Sequence, residues 1–264
     1  MPEIVASADG TPIAVERYGD GPVLVIVPGA LSDLTGWMAC ALLLANGRSV
    51  HVIDRRGKGA SGDAPRYEPE REIEDVLAVL TAIGGPADLL GHSSGAILAL
   101  QSAERAPELR RLVLYEPPLF FDEEDRVPAD LPERLDALLA AGDEDVALQT
   151  FLREGPRNSE AEIQGLREHR AAWPRMLAMA HTVAYDSRVQ RGFDGDLGRL
   201  AAMRTPTLML IGATSPPRMR KGSEAIARAL PDVRIEELTG QAHLAPLVAP
   251  DLFAGAVDRF LSTD

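Results

Sequence analysis

The chain has 264 residues, of which 45% are hydrophobic and 25% are charged, so it can bury a full core and is not a disordered protein. The formal net charge of −13 predicts a surface that repels phosphate groups, which argues against a nucleic-acid-binding protein. The single cysteine, Cys40, excludes an internal disulfide, and the five histidines form no His-x-x-x-His pair. We therefore expect neither a metal nor another cofactor.

The termini and apolar runs predict where the protein acts. No apolar run approaches the roughly 20 residues that span a bilayer, and the N-terminus lacks the basic and apolar regions of a signal peptide. We expect a cytoplasmic protein that acts on a small molecule, with no membrane or nucleic-acid partner. The sequence leaves open whether it is a monomer or a homodimer.

Short apolar runs alternate with helical patterns along most of the chain, which is typical of a parallel sheet flanked by helices. The turn Ala8-Asp9-Gly10 separates the first two runs and predicts an antiparallel hairpin, whereas the later runs predict strands buried on both faces. The predicted strands span residues 3–7, 12–18, 23–27, 50–53, 87–90, 112–115, 207–211 and 233–238. The predicted helices span residues 35–46, 69–83, 94–106, 219–230 and 248–262.

This alternation is interrupted between residues 119 and 200, where four helix-like stretches (132–141, 144–153, 159–170 and 172–185) replace it. We interpret residues 119–200 as a helical cap, or lid, over a core formed by residues 1–118 and 201–264; the alternative is an embellishment that does not contact substrate. Its apolar side chains line an acyl pocket or form the cap's own core: Leu119, Phe120, Phe121, Trp173, Met176 and Met179. Two polar residues four positions apart, His181 and Tyr185, are candidates for substrate contact.

The strongest signal for chemistry is Gly91-His92-Ser93-Ser94-Gly95, between a predicted strand and a predicted helix. A Gly-x-Ser-x-Gly sequence at such a junction forms a tight turn that lifts the serine hydroxyl clear of the backbone. The same turn places the hydroxyl at a helix N-terminus, where negative charge is stabilised. The pattern predicts Ser93 as a nucleophile.

Four stretches together resemble the α/β-hydrolase fold superfamily: residues 27–30, 54–62, 91–95 and 240–243. The resemblance implies an α/β protein with a mostly parallel eight-stranded sheet, helices on both faces and a helical cap inserted after strand 6. Within this superfamily, the chain resembles capped serine hydrolases of the esterase, lactonase and haloperoxidase-like kind. In the second stretch we interpret Asp54 and Arg56 as structural residues.

The resemblance also implies roles for residues around Ser93. His243 would be the general base, because a serine hydroxyl is a poor nucleophile until an imidazole takes its proton. The backbone N–H groups of Ala30 and Ser94 would form the oxyanion hole, with Gly29 allowing the loop to bend and to contact substrate. A proline occupies position 28, where the family usually has a histidine.

The acid that would orient His243 has more than one candidate. The family usually places an aspartate after the strand at 207–211, but Ser215 occupies that position. Some members use an acid at the end of the preceding strand, where this chain has Glu116. We therefore predict Glu116 as the acid; the alternatives are Asp186 in the cap, or no acid at all.

These residues predict a serine hydrolase that cleaves an ester, lactone or similar activated carbonyl through an acyl-enzyme on Ser93. One alternative is a non-hydrolytic enzyme on the same scaffold, which would catalyse acyl transfer, cyclisation, carbon–carbon cleavage or perhydrolysis. Another is a binding module that catalyses no reaction, since a fold alone does not define a function.

Overall fold

An eight-stranded sheet forms the centre of the computed structural model, which describes residues 2–106, 108–193 and 195–262. The strands are β1 (Glu3–Ala6), β2 (Pro12–Tyr18), β3 (Val23–Val27), β4 (Ser49–Ile53), β5 (Ala87–His92), β6 (Leu109–Tyr115), β7 (Thr207–Gly212) and β8 (Val233–Leu238). Their order across the sheet is β1-β2-β4-β3-β5-β6-β7-β8. β2 pairs antiparallel with both β1 and β4, and all other neighbours are parallel. The predicted mostly parallel, eight-stranded α/β fold is confirmed.

The central strands are apolar because helices cover both of their faces. Every residue of β5 and β7 is buried, as the continuous apolar runs predict. β8 differs from its prediction as a buried strand. It lies at the edge of the sheet, where the side chain of Ile235 is 48% exposed and charged residues alternate with apolar ones.

Helices form a layer on each face of the sheet. The helices of the described residues are α1 (Leu34–Leu44), α2 (Pro69–Ile83), α3 (Ser94–Ala103), α4 (Leu131–Ala140), α5 (Glu144–Glu154), α6 (Glu160–Glu168), α7 (Ala172–Ala178), α8 (Val183–Gly192), α9 (Pro217–Ala229), α10 (Ala245–Val248) and α11 (Pro250–Leu261). On one face, Trp37 of α1 and Phe253 of α11 are fully buried in one apolar cluster. On the other face, Ile73 of α2, Ile97 of α3 and Ile226 of α9 belong to a second cluster. Among the described residues, no helix is both long and apolar enough to cross a membrane.

Helices α4 to α8 lie between β6 and β7 and have an apolar cluster of their own. We refer to residues 119–200 as the inserted segment. Trp173 and Met176 pack in its cluster, whereas Leu119 and Phe121 pack with the core of the sheet. Within this segment α8 also packs on α2 and α3, so the segment rests on the sheet domain close to the start of α3.

One predicted helix of the inserted segment, 172–185, is divided in the structure. α7 ends at Ala178, a 3₁₀ turn covers Ala180–Thr182, and α8 begins at Val183. The Thr182 hydroxyl donates to the backbone carbonyl of Met179 at 2.8 Å. Such a local hydrogen bond competes with continuous helix, which explains why an apolar pattern alone did not predict the break.

Candidate active site

Ser93 lies at a sharp turn between the last residue of β5 and the first residue of α3. Its backbone angles, φ 55° and ψ −128°, fall in a region that side-chain-bearing residues rarely adopt. The flanking glycines make the turn possible. A Cβ at Gly91 would lie 2.5 Å from the carbonyl oxygen of Gly95, and a Cβ at Gly95 would overlap the carbonyl oxygen of Val27. The Gly-x-Ser-x-Gly spacing therefore follows from close packing between strand and helix.

Three of the predicted site residues form one hydrogen-bonded chain. The Oγ of Ser93 lies 2.9 Å from Nε2 of His243, and Nδ1 of His243 lies 2.8 Å from Oε2 of Glu116. With Nδ1 protonated, the ring donates to the carboxylate and leaves the Nε2 lone pair free to accept the serine proton. The three residues come from the ends of β5, β6 and β8, which meet at the carboxyl edge of the sheet.

Glu116 is fixed in place by its backbone and by a second hydrogen bond. It directly follows β6 and has φ 47°, a left-handed conformation that costs a residue with a side chain about 1 kcal/mol. Its carboxylate is fully buried, and Oε1 accepts a hydrogen bond from the backbone N–H of Gly212 at 2.8 Å. Each carboxylate oxygen thus has a defined donor. Ser215, where the family usually has its acid, lies beside Gly212, whose Cβ would be 2.7 Å from its Oγ.

Two side chains below His243 hold the backbone of its loop. Nε2 of His92 lies 2.9 Å from the carbonyl oxygen of His243, and the hydroxyl of Tyr115 donates to the carbonyl oxygen of Ala242 at 2.5 Å. Burial, together with the nearby ring of His243, lowers the pKa of His92 to about 3. His92 is therefore neutral near pH 7 and donates from Nε2. Sequence reasoning did not find this role, because it depends on a contact between residues far apart in the chain.

The loop after β3 passes directly over Ser93. A Cβ at Gly29 would lie 2.8 Å from Cβ of Ser93, so no larger residue fits there without displacing the loop. Among the described residues, no backbone hydrogen bond uses the N–H of Ala30 or of Ser94. Both N–H groups are therefore available to an acceptor beside Ser93. Ala30 also packs against the apolar cluster of the inserted segment.

His181 and Tyr185 contact the loop after β4, away from the Ser93–His243–Glu116 chain. Nε2 of His181 lies 2.7 Å from the carbonyl oxygen of Gly57, and the Tyr185 hydroxyl donates to Asp63 at 3.0 Å. The ring of Tyr185 stacks on Tyr67, with centroids 3.9 Å apart. In this structure both residues fasten the inserted segment to the core.

A buried cluster of charged side chains lies beneath the inserted segment. Asp186 of α8 pairs with Arg55 at 2.6 Å and with Lys58 at 2.9 Å, and the hydroxyl of Ser94 donates to it at 2.7 Å. Arg55 also forms two hydrogen bonds with Glu72, of 2.6 and 2.7 Å. Burial alone would raise the pKa of Asp186, but the charges of Arg55 and Lys58 lower it to about 2. Asp186, one alternative for the orienting acid, therefore stays ionised in this cluster.

The residues interpreted as structural in the stretch 54–62 do make structural contacts. Asp54 accepts hydrogen bonds from the backbone N–H groups of Leu34 and Ala60, both at 2.7 Å. Arg56 makes a two-bond ion pair with Asp75, at 2.7 and 2.8 Å. The same stretch supplies Arg55 and Lys58 to the buried cluster, which the sequence analysis did not anticipate.

One group of carboxylates among the described residues has the spacing of a metal site: Asp122, Glu124 and Asp125. Two of the three side chains are exposed, and cations neutralise part of the group. Lys221 pairs with Asp122 at 2.8 Å, and Arg157 lies 3.5 Å from Asp125. Two of the three carboxylates therefore already have a cation as partner, which weakens this group as a metal site.

The fold and the site together define an α/β enzyme scaffold that carries a serine at a strand-to-helix turn within reach of a histidine. Residues 24–256 match the sequence profile of the Alpha/beta hydrolase family, and the chain belongs to this family. The resemblance noted from the four sequence stretches is thereby confirmed.

Similar proteins are hydrolases by name. The N-formylmaleamate deformylase of Pseudomonas putida is 29% identical, covering 97% of this chain and 94% of its own. A putative carbamate hydrolase of Azorhizobium caulinodans is 30% identical and covers 90% of each chain. The crystal structure of an alpha/beta hydrolase from Sphaerobacter thermophilus superposes with a TM-score of 0.91, at 40% identity, covering 98% of this chain and 100% of its own. These similarities support hydrolase activity.

Proposed function

We propose that this protein is a serine hydrolase that cleaves small activated acyl compounds through a covalent acyl-enzyme on Ser93. The observation that carries the proposal is the hydrogen-bonded chain from Ser93 through His243 to Glu116, with separations of 2.9 and 2.8 Å. These separations lie within the range in which a proton passes directly between side chains. The order nucleophile, acid, histidine along the chain also matches that of α/β hydrolases.

In the first half of the proposed reaction, Ser93 attacks the carbonyl carbon of the substrate. The hydroxyl proton moves to Nε2 of His243, and Glu116 stabilises the resulting imidazolium through Nδ1–H. The carbonyl oxygen becomes an oxyanion, which accepts hydrogen bonds from the N–H groups of Ala30 and Ser94. His243 then returns the proton to the leaving group, and the acyl group stays on Ser93 as an ester.

In the second half, water replaces the leaving group. His243 takes a proton from the water, the hydroxide equivalent attacks the acyl ester, and the same two N–H groups stabilise the second oxyanion. Collapse of this intermediate releases the carboxylic acid, and Ser93 regains its proton from His243. Every proton in the cycle is exchanged at Nε2, which is why the position of that nitrogen matters most.

The inserted segment, residues 119–200, acts in this proposal as a lid over the acyl site. Its apolar cluster packs on Ala30 and Leu31, and Arg175 of α7 donates to Asp33 and Thr35 just beyond that loop, at 2.9 and 2.7 Å. A lid seated here would exclude water from the oxyanion hole during acylation. His181 and Tyr185 serve the lid by fastening it to the core.

The class of acyl compound follows from the mechanism and from the relatives. An acyl-enzyme route handles esters and lactones, and the relatives named as a deformylase and a putative carbamate hydrolase extend the candidates to acyl groups bonded to nitrogen. We therefore propose a small ester, lactone, formamide or carbamate as substrate.

A fluorophosphonate probe tests the proposal without knowledge of the natural substrate, because it reacts much faster with an activated serine than with an ordinary hydroxyl. We expect one adduct, mapped to Ser93, and turnover of p-nitrophenyl acetate that is lost in Ser93→Ala. The matched control is Ser102→Ala, which removes a buried hydroxyl from the same helix, α3, and is expected to keep labelling and turnover. Equal ester turnover in Ser93→Ala and the parent protein would refute the mechanism. Product analysis with an added alcohol separates hydrolysis from acyl transfer.

A further inference from the structure

The cluster beneath the inserted segment contains four ionisable side chains that are all nearly inaccessible to solvent: Arg55, Lys58, Glu72 and Asp186, each at most 3% exposed. Two positive and two negative groups balance its formal charge. Such clusters contribute little net stability, because removing four charges from water costs about as much as their mutual attraction returns. Stability alone therefore does not account for a lysine at this depth.

The two cations of the cluster also reach the loop that passes over Ser93. Nζ of Lys58 donates to the carbonyl oxygen of Gly29 at 3.4 Å, and Nη1 of Arg55 donates to that of Pro28 at 3.5 Å. These hydrogen bonds are long. Burial lowers the pKa of Lys58, but the carboxylate of Asp186, 2.9 Å from Nζ, favours the charged form. A positive charge at this distance from a carbonyl in a dry interior orients the carbonyl dipole. The charged side chains of Lys58 and Arg55 thus help to fix the position of the loop after β3.

The carbonyl that Lys58 contacts belongs to the peptide unit that carries the N–H of Ala30. No cis peptide bond occurs in the part of the chain that the structure describes, so the C=O of Gly29 and the N–H of Ala30 point in opposite directions from one rigid plane. A donor that fixes the oxygen on one side therefore fixes the direction of the N–H on the other. Its positive charge also polarises the peptide, which strengthens that N–H as a donor.

We propose that Lys58 is a positioning residue for the oxyanion hole: anchored by Asp186 of the inserted segment, it aims the N–H of Ala30 at the developing negative charge. This inference rests on the proposed function, since it assigns Lys58 to the same reaction. Asp186 holds Lys58 through Oδ2 and the hydroxyl of Ser94 through Oδ1. The carboxylate of Asp186 thereby connects the inserted segment to both oxyanion donors: to Ala30 through Lys58, and to Ser94 directly.

The test separates transition-state stabilisation from folding by restoring the charge balance. Lys58→Met alone leaves a buried carboxylate with one partner fewer and is expected to lower stability. The double variant Lys58→Met/Asp186→Asn removes one charge of each sign, so Arg55 and Glu72 still neutralise each other. The amide oxygen of the new asparagine keeps an acceptor for Arg55 and for the Ser94 hydroxyl, so the contact to Lys58 is the main one lost. The matched control is Arg56→Met/Asp75→Asn, which removes a buried ion pair between the same loop and helix α2 without changing residues 28–30.

Two quantities are measured besides the melting temperature: kcat and KM for p-nitrophenyl acetate, and the inhibition constant of an alkyl boronic acid. The boronic acid forms a tetrahedral adduct on serine whose oxygen occupies the oxyanion hole. For the double variant we expect kcat to fall about 10- to 100-fold, since loss of a complete oxyanion donor costs about 10²- to 10³-fold. We expect boronate affinity to fall by a similar factor and KM to change by less than about threefold.

The outcomes distinguish this inference from the proposed function. If the wild-type protein neither reacts with fluorophosphonate nor hydrolyses esters, the proposed function fails, and the Lys58 proposal fails with it. If the wild type is active and the folded double variant keeps its kcat and boronate affinity, only the Lys58 proposal is overturned. If both control and double variant lose kcat equally, the effect belongs to general packing and the proposal is again overturned. Should the double variant not fold, Lys58→Met is measured below its own melting temperature, and an unchanged boronate affinity there overturns the proposal.

Discussion

Replacing Glu116 by glutamine changes the tautomer of His243 in a way that the structure makes explicit. The backbone N–H of Gly212 lies 2.8 Å from Oε1 of Glu116 and can only donate. The amide of the new side chain must therefore present its oxygen to Gly212, which turns its NH₂ toward Nδ1 of His243. Two donors cannot face each other, so Nδ1 becomes the acceptor and the ring proton moves to Nε2. Nε2 then has no lone pair for the Ser93 proton.

The expected loss is large because the wrong tautomer removes the general base without disturbing the fold. In serine hydrolases with a triad, an equivalent acid-to-amide change lowers kcat by about 10⁴-fold. We expect a fall of about 10³- to 10⁴-fold in Glu116→Gln, which corresponds to about 4–5 kcal/mol of transition-state stabilisation. The contact with Gly212 is kept, so the melting temperature should change by only a few degrees.

The assay is kcat for p-nitrophenyl acetate, together with thermal melting and the rate of fluorophosphonate labelling. Ser215→Ala serves as the control, since it alters a neighbouring side chain that takes no part in the hydrogen-bonded chain. A reduction in kcat smaller than about fivefold in a folded Glu116→Gln protein would refute the reasoning and assign Glu116 to structure.

Two further predictions concern packing and charge. Gly95→Ala is expected to lower the free energy of unfolding by more than about 3 kcal/mol, because the new Cβ would overlap a backbone carbonyl of β3. The control is Gly165→Ala, where the Cβ meets open space and should raise the free energy of unfolding slightly. Equal effects of the two substitutions in urea unfolding would contradict this packing argument. The folded-state pKa of Asp186 is about 2, below its ordinary value of 3.8, so its stabilising contribution is complete above about pH 4 and is lost as the pH falls toward 2. The difference in unfolding free energy between wild type and Asp186→Asn should therefore shrink by about 2 kcal/mol as the pH is lowered through this range. A difference that does not vary with pH would show that the carboxylate titrates alike in the folded and unfolded states.

The sheet could be predicted from sequence because short continuous apolar runs in an α/β protein form central strands that helices cover on both faces. The runs at 23–27 and 207–211 correspond to β3 and β7. The position of β8 at the edge of the sheet could not be predicted in the same way. Strand order depends on how the crossovers pack, and only the alternating charges of 233–238 hinted at an exposed strand.

The site was predictable where a local pattern encodes it and was not where distant residues meet. The strained turn at Ser93 is encoded by its two glycines, and the position of Glu116 at the end of a strand made it a candidate acid. The hydrogen bonds from His92 and Tyr115 to the His243 loop, and the approach of Lys58 to Gly29, depend on tertiary contacts. For the approach of Lys58 to Gly29, the sequence offered one signal: a lysine between two glycines in a loop that follows a buried strand.

The most direct measurement of the central claim is detection of the covalent intermediate itself. The protein is mixed rapidly with a p-nitrophenyl ester, quenched in acid and analysed by intact and peptide mass spectrometry. Because p-nitrophenol is a good leaving group, acylation should be faster than deacylation, and the acyl-enzyme should accumulate. The account then predicts a burst of p-nitrophenol that approaches the enzyme concentration and one added acyl group, located on Ser93 and absent from Ser93→Ala. Steady turnover that proceeds with no acyl adduct at any quench time, and with equal rate in Ser93→Ala, would contradict it.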